Sequence, residues 1–190
     1  MALPERTVII VPGLRGSGAA HWQSLWQAGH RDYVRVLQDE WAAPGLELWA
    51  ARVDSAICAA RGPAFVVAHG FGCLATLRRL ALRTTGLGGA LLVAPRDPLE
   101  FNVDPLLPSA PLEAPSILVA SRNDPWMGFT AAKRLAARLG SRFVDAGQAG
   151  HIDAASGYGP WPKGERLLGA LFCAARAQEY RLREALALVA

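Results

Sequence analysis

Cysteine is scarce in this chain of 190 residues: Cys58, Cys73 and Cys173 are the only three, and none sits in a C-x-x-C pair. That scarcity argues against a disulfide framework and against a cysteine-based zinc site. The three lie in apolar or helical surroundings and are expected to be buried, reduced thiols, which fits a cytoplasmic protein. Blocks of like charge are missing too. The net charge of +4 comes from scattered arginines, so no nucleic-acid surface is expected. No stretch approaches ~18 consecutive apolar residues, so neither a transmembrane helix nor a membrane partner is expected. Residues 1–7 hold no apolar signal region, and the apolar run at 8–11 is only strand length. What remains, 52% hydrophobic and 19% charged, is the composition of a globular protein long enough to bury a core, expected as one domain over residues 1–190.

Short β-branched or apolar runs recur through the chain. Residues 7–11, 33–37, 64–68, 90–94, 116–120 and 141–144 read as strands. They are largely unalternating, which suits strands buried on both faces of a parallel sheet. Between them, apolar spacing predicts helices from about residue 20, over 46–60, 73–82 and 131–139, and over about 165–186 at the end. Residues 97–115 carry Pro98, Pro105, Pro108, Pro111 and Pro115 and cannot be one regular helix; loops this long are often lids or binding loops. Alternating strands and helices with right-handed crossovers give an α/β fold, a doubly wound, mostly parallel sheet with helices on both faces. Ligands in such folds bind outside the carboxyl ends of the strands.

Strand, sharp turn and helix over residues 64–82 is the setting of a nucleophile elbow, written G-x-S-x-G. The five positions here read Ala68-His69-Gly70-Phe71-Gly72. The closing glycine is present, and the nucleophile position holds Gly70, which has no side chain. An acyl-transfer triad also needs a histidine base and a carboxylate to orient it, in the chain order nucleophile, acid, histidine. Gly70, Asp124 and His151 occur in that order, each just after a strand. The oxyanion hole would use the N–H of Phe71 and the N–H of Leu14 in the loop after the first strand. Taken singly, Asp124 before proline reads as a turn, Gly70 as a turn glycine, and His21 and His69 as packing or hydrogen-bonding residues. Their joint placement is what points to a hydrolase-derived site. Cys73 reads as a packed apolar residue, and nothing in the spacing selects Ser17 or Ser156 as a substitute nucleophile. The loop Gly13-Leu14-Arg15-Gly16-Ser17-Gly18, with Asp39 downstream, departs from G-x-G-x-x-G and carries only a weak dinucleotide signal.

Val11-Pro12-Gly13-Leu14, His21-Trp22-Gln23, Asp39 with Trp41, Ala68-His69-x-x-Gly72-Cys73 and Ser121-x-Asn123-Asp124-Pro125 are joined by a longer string, Gly150-His151-Ile152-x-Ala154-Ala155-Ser156-Gly157-x-Gly159-Pro160-Trp161-Pro162. Together they resemble the YdeN-type, retinoblastoma-binding-protein-like family of small serine hydrolases. The resemblance runs over residues 8–168. It implies an α/β-hydrolase fold without a large cap domain, no cofactor or metal, and esterase-like acyl hydrolysis with Asp124 as acid, His151 as base and position 70 as nucleophile. The chain departs from the family pattern at Gly70, where serine is usual, and also at Phe71, Arg15 and Asp153. Two functions fit. One is a serine hydrolase, inactive or strongly impaired, whose partner is a small-molecule ester or acyl compound. The other is a non-catalytic binding protein that reuses the pocket for a small ligand or a protein partner. Trp126, Trp161 and the proline-rich loop fit either pocket walls or ordinary packing.

Overall fold

The computed structural model describes residues 6–42 and 45–188. Residues 1–5 and 43–44, which belong to the expected N-terminal segment and to the loop before the second helix, lie outside the described residues, as do 189–190. Six strands, β1 (Thr7–Val11), β2 (Val34–Arg35), β3 (Ala64–Gly70), β4 (Leu87–Pro95), β5 (Ser116–Ala120) and β6 (Arg142–Asp145), form one sheet in the order β2-β1-β3-β4-β5-β6. Every pairing in it is parallel. Five helices connect or follow them: α1 (Trp22–Gly29), α2 (Leu46–Cys58), α3 (Phe71–Leu82), α4 (Phe129–Arg138) and α5 (Pro162–Ala187).

Side chains alternate along each strand, and β1 and β3 use both faces. Ile9, Val11, Val66 and Ala68 join the cluster that holds residues of α2, α3 and α4. Val8, Ile10, Phe65 and Val67 join the opposite cluster with Trp22 and Trp26 of α1 and Leu168 and Leu171 of α5. The apolar, unalternating strand sequences are thus explained by helices on both faces.

Three expectations change. Strand β2 is two residues rather than five, because it lies at the sheet edge, pairs only with β1 and leaves Val34 exposed. Helix α3 begins at Phe71 rather than at residue 73, since the β3–β4 ladder runs on to the Gly70–Pro95 pair and leaves no separate turn. Cys58 and Cys173 are exposed, on outward-facing positions of α2 and α5; only Cys73 is buried. The proline-rich segment contains one short 3₁₀ turn, Asp104–Leu106, and is otherwise irregular. No described helix is long and apolar enough to cross a membrane.

Strand order reverses between β1 and β3, so the crevice outside their carboxyl ends is the topological switch point. Two glycines let the chain close up there. A Cβ at Gly72 would collide with the carbonyl oxygens of Pro12 and Val11, and one at Gly13 would sit 3.0 Å from the His69 carbonyl oxygen. Helix α3 therefore starts with its backbone pressed against the end of β1. Gly72→Ala is expected to lower the unfolding free energy by about 1–3 kcal/mol through overpacking. Gly159→Ala, in open space, is expected to leave it unchanged; urea denaturation of both variants checks this.

Candidate active site

At the switch point β3 passes into α3 through Gly70, which has φ +55° and ψ −125°. A side-chain-bearing residue rarely holds that conformation, and glycine holds it without a Cβ penalty. As the first helical residue, Phe71 has no intrahelical acceptor for its N–H. The neighbouring Leu14 N–H has no backbone or side-chain acceptor among the described residues, whereas Arg15 N–H is taken by Trp41 O at 2.9 Å. A Cβ built on Gly70 would lie 3.6 Å from Gly13 Cα and 3.3 Å from His151 Nε2.

His151 and Asp124 meet from two loops. His151 Nδ1 lies 3.0 Å from each oxygen of the Asp124 carboxylate, and both side chains are largely buried. In the neutral imidazole, Nδ1–H donates to Asp124 and Nε2 faces position 70 as an acceptor. The acid is itself fixed, since Asp124 Oδ1 accepts Trp126 N–H at 2.9 Å. Asp124, His151, Gly70, Leu14 and Phe71, separate in sequence, therefore lie together at one edge of the sheet.

The loop holding His151 is strained and held from several sides. Ile152, fully buried and β-branched, has φ +51°, a conformation that persists only when its surroundings over-determine it. Trp22 Nε1–H donates to Ile152 O at 2.8 Å, and His69 Nε2–H donates to His151 O at 2.9 Å. Ser121 Oγ accepts Ala149 N–H, and Asn123 Oδ1 accepts Gly150 N–H. The Ser121-x-Asn123-Asp124 string thus ties the acid's loop to the histidine's loop. Ser156 Oγ accepts His151 N–H and donates to Asp153 Oδ1. Gln23 Nε2 donates to Val11 O and Val67 O, pinning β1 to β3 beneath the site. The His21-Trp22-Gln23 string is therefore a support for the site.

The substitute nucleophiles are committed elsewhere. Ser17 Oγ donates to Gln23 Oε1, and Ser156 is engaged as above. Cys73 Sγ donates to Val93 O, and burial pushes its thiol well above the usual range. Burial lowers His69 well below the usual histidine value; any like charge on His151 or His21 would add to this, and the hydrogen bond to the His151 carbonyl opposes it. His21 is lowered to about 4, chiefly by burial; Asp153 opposes this, and Arg35 and His151 add to it. For Asp153, burial acts to raise the carboxyl, but hydrogen bonds from the Ser156 hydroxyl and N–H prevail and lower it.

These groups open on a cavity of about 500 Å³ whose walls include Phe71, Phe101, Trp126, Arg96 and Glu100. The proline-rich segment contributes Glu100 and Phe101. Arg96 lies over the Trp126 ring at 4.1 Å from its centroid, donates to Glu100, and its N–H reaches Gly70 O at 3.3 Å. Sequence reasoning missed Arg96 and Glu100; the position of Arg96 right after a strand was the available signal. Trp161 is not among the residues lining this cavity and packs against Trp22 and Trp26. A larger groove of about 610 Å³, between α5 and the start of β4, holds no paired acid and base among the described residues. No group of three or more His, Cys, Asp or Glu side chains among the described residues could hold a metal ion.

A family model described as serine hydrolase matches residues 8–170. The chain is 36% identical to a protein described as a YdeN-like hydrolase from Pectobacterium atrosepticum; 92% of each chain is covered, with a TM-score of 0.85. It is 23% identical to the ydeN gene product of Bacillus subtilis, covering 89% of this chain and 99% of that one, with a TM-score of 0.71. The fold is also shared with the esterase RhEst1 from Rhodococcus, at 14% identity, covering 90% of this chain and 91% of that one, with a TM-score of 0.65. No curated protein matches the chain.

The two depressed histidines set a pH dependence of stability. Below the ordinary histidine value of about 6.5, the unfolded chain binds protons that folded His21 and His69 refuse. Stability contributed this way is complete above that pH and is lost as pH falls toward 4. The unfolding free energy is expected to be lower at about pH 5 than at neutral pH by about 2 kcal/mol from His21 alone, with the same sign from His69. Urea titrations of the chain and of His21→Asn check this, the variant showing the shallower dependence.

Proposed function

The chain belongs to the serine hydrolase family, and from that premise we propose that it keeps the acid, base and oxyanion donors of an acyl hydrolase but forms no acyl-enzyme at residue 70. The observation that carries this reading is the pairing of His151 with Asp124 while Nε2 stands 3.3 Å from the Cβ position of residue 70. A hydroxyl on that Cβ would fall within hydrogen-bond reach of the base. Glycine supplies no oxygen to attack a carbonyl, and Ser17, Ser156 and Cys73 are engaged elsewhere. The N–H groups of Leu14 and Phe71 lie on either side of the Gly13–Gly70 approach, suitable for a developing oxyanion.

The substrate class in this reading is a small-molecule ester. RhEst1, which shares the fold, is described as an esterase, and a cavity of about 500 Å³ with aromatic walls suits a small acyl group. With the triad incomplete, the remaining route is a water activated by His151 against an ester held in the oxyanion hole. Such residual catalysis is on the order of 10³–10⁴-fold over the uncatalysed reaction. A second reading, a protein that binds without catalysis, is favoured by Gly70 itself, which relieves the strain that a serine would carry at φ +55°.

Two measurements test the proposal. A fluorophosphonate probe is expected to leave residue 70 of the chain unlabelled and to label Gly70→Ser, which should also be about 1–3 kcal/mol less stable. A folded Gly70→Ser protein that stays unlabelled overturns the hydrolase reading in favour of binding alone. Turnover of p-nitrophenyl esters should be slow in the chain and slower in His151→Ala; equal rates in the two would remove the water route.

A further inference from the structure

Helix α5 continues well past the part of it that the sheet buries. It has 26 residues, a length of about 39 Å, and its last buried residue is Leu171. Leu168 and Leu171 pack into the core cluster on one face of the sheet, and Ala175 rests against that cluster. Leu182 and Leu186 follow on the same side of the helix, seven and eleven residues after Ala175, yet they stand 57% and 71% exposed. From Glu179 to Leu188 every residue is exposed. Among the described residues, the last hydrogen bond from α5 to the rest of the chain runs from Gln178 Nε2 to Glu113 O. A helical segment of roughly ten residues is marginal in water on its own, and an apolar stripe along it is stabilised by burial against a partner. The family match ends at residue 170, so the hydrolase fold does not account for this extension.

The groove of about 610 Å³ beside α5 has the complementary shape. Phe65, Leu87 and Pro115 line it from the amino ends of the strands, and Phe172 and Leu182 line it from α5. A Cβ at Gly169, which also lines it, would meet nothing within 4 Å, so the groove is open there. Arg176 and Glu179 bring opposite charges to the same groove, and both are exposed. Arg176 makes no ion pair among the described residues. Glu179 pairs only with exposed Arg183, one turn on, and such a pair contributes little in water.

We propose that a second copy of the chain occupies this groove, in a two-fold dimer that pairs the α5 extensions antiparallel. A helix that carries both an apolar projection and one wall of an apolar groove is self-complementary, and a two-fold axis uses each of them twice. Charge sets the register. With the axis level with residues 177 and 178, Arg176 of each copy faces Glu179 of the other. The same register carries Leu182 to Phe172 of the second copy, and Leu186 to its Gly169, where the groove is open. Parallel pairing in register would instead set Arg176 against Arg176 and Glu179 against Glu179, which repel. One helical extension and one groove make a small interface, so the dimer exchanges with monomer at a Kd on the order of 1–100 μM. The groove and the Asp124–His151 pair lie at opposite edges of the sheet, so association is independent of the acyl chemistry.

Sedimentation velocity of the full chain over a range of about 1–200 μM tests this. The sedimenting mass is expected to rise from that of one 20.3 kDa chain toward twice that value. Leu182→Asp combined with Leu186→Asp is expected to stay at the mass of one chain throughout. Its urea denaturation midpoint at low concentration should be unchanged, because the body of the fold does not bury either leucine. Arg176→Glu and Glu179→Arg, each alone, set like charges face to face and are expected to weaken association about tenfold. The two together restore opposite charges and are expected to return it to within about threefold of the original. A chain that stays monomeric at every concentration overturns the inference and leaves the groove to another occupant. Association that survives the double leucine change, or charge changes that fail to rescue one another, overturns it equally. Binding of anionic phospholipid vesicles by a chain that does not self-associate assigns the apolar stripe to a lipid surface instead.

Discussion

The site depends on how closely the start of α3 can approach the end of β1. Strand β3 runs into the helix without a loop, so the backbone must reverse within one residue, at φ +55° and ψ −125°. That reversal is possible because Gly72 and Gly13 have no side chains where three carbonyl groups pass. The same approach leaves the N–H groups of Leu14 and Phe71 as neighbours of position 70. Close packing here is a condition of the chemistry as much as of the fold, since a Cβ at either glycine would push apart the groups that define the site.

Around this fixed point the histidine loop is assembled from outside. The strained Ile152 and the His151 carbonyl are each held by a ring donor, Trp22 and His69, which come from different elements. Ser121 and Asn123 satisfy two N–H groups of the same loop. The bonds made by Trp22, His69 and Ser121 are buried or partly buried, and leaving one of those partners unmatched costs more than the bond contributes in water. The loop therefore has one satisfactory arrangement, and it aims His151 Nε2 at residue 70. Rigid support of a base is worth keeping for binding as well as for catalysis.

In the proposed reading, glycine at position 70 removes the attacking oxygen without disturbing the backbone. The residue holds φ +55° without a Cβ penalty, and the His151–Asp124 pair remains beside it. His21 and His69, kept neutral by burial, add dipoles but no positive charge.

Much of this was legible in the residues because its signals are local. Apolar runs marked the six strands, although β2 came out shorter, since an edge strand with one neighbour is settled by pairing rather than by propensity. Asp124 and His151 could be picked out because a parallel sheet gathers the loops after its strands at one edge. The glycine at position 70 was visible at once, because a glycine is a glycine in any context. Side-chain direction was not legible: Arg96 and Glu100 in the wall, Ser156 turned to Asp153, Trp161 packed among tryptophans, and the exposure of Cys58 and Cys173. Trp161 meets residues far away in the chain, and even the near pairs depend on how a loop turns its side chains, which no periodicity encodes. By itself the sequence determined the strands, the candidate residues and the missing hydroxyl. Only the tertiary structure decided that Asp124 and His151 meet beside Gly70, because direction and burial arise only once the elements have packed.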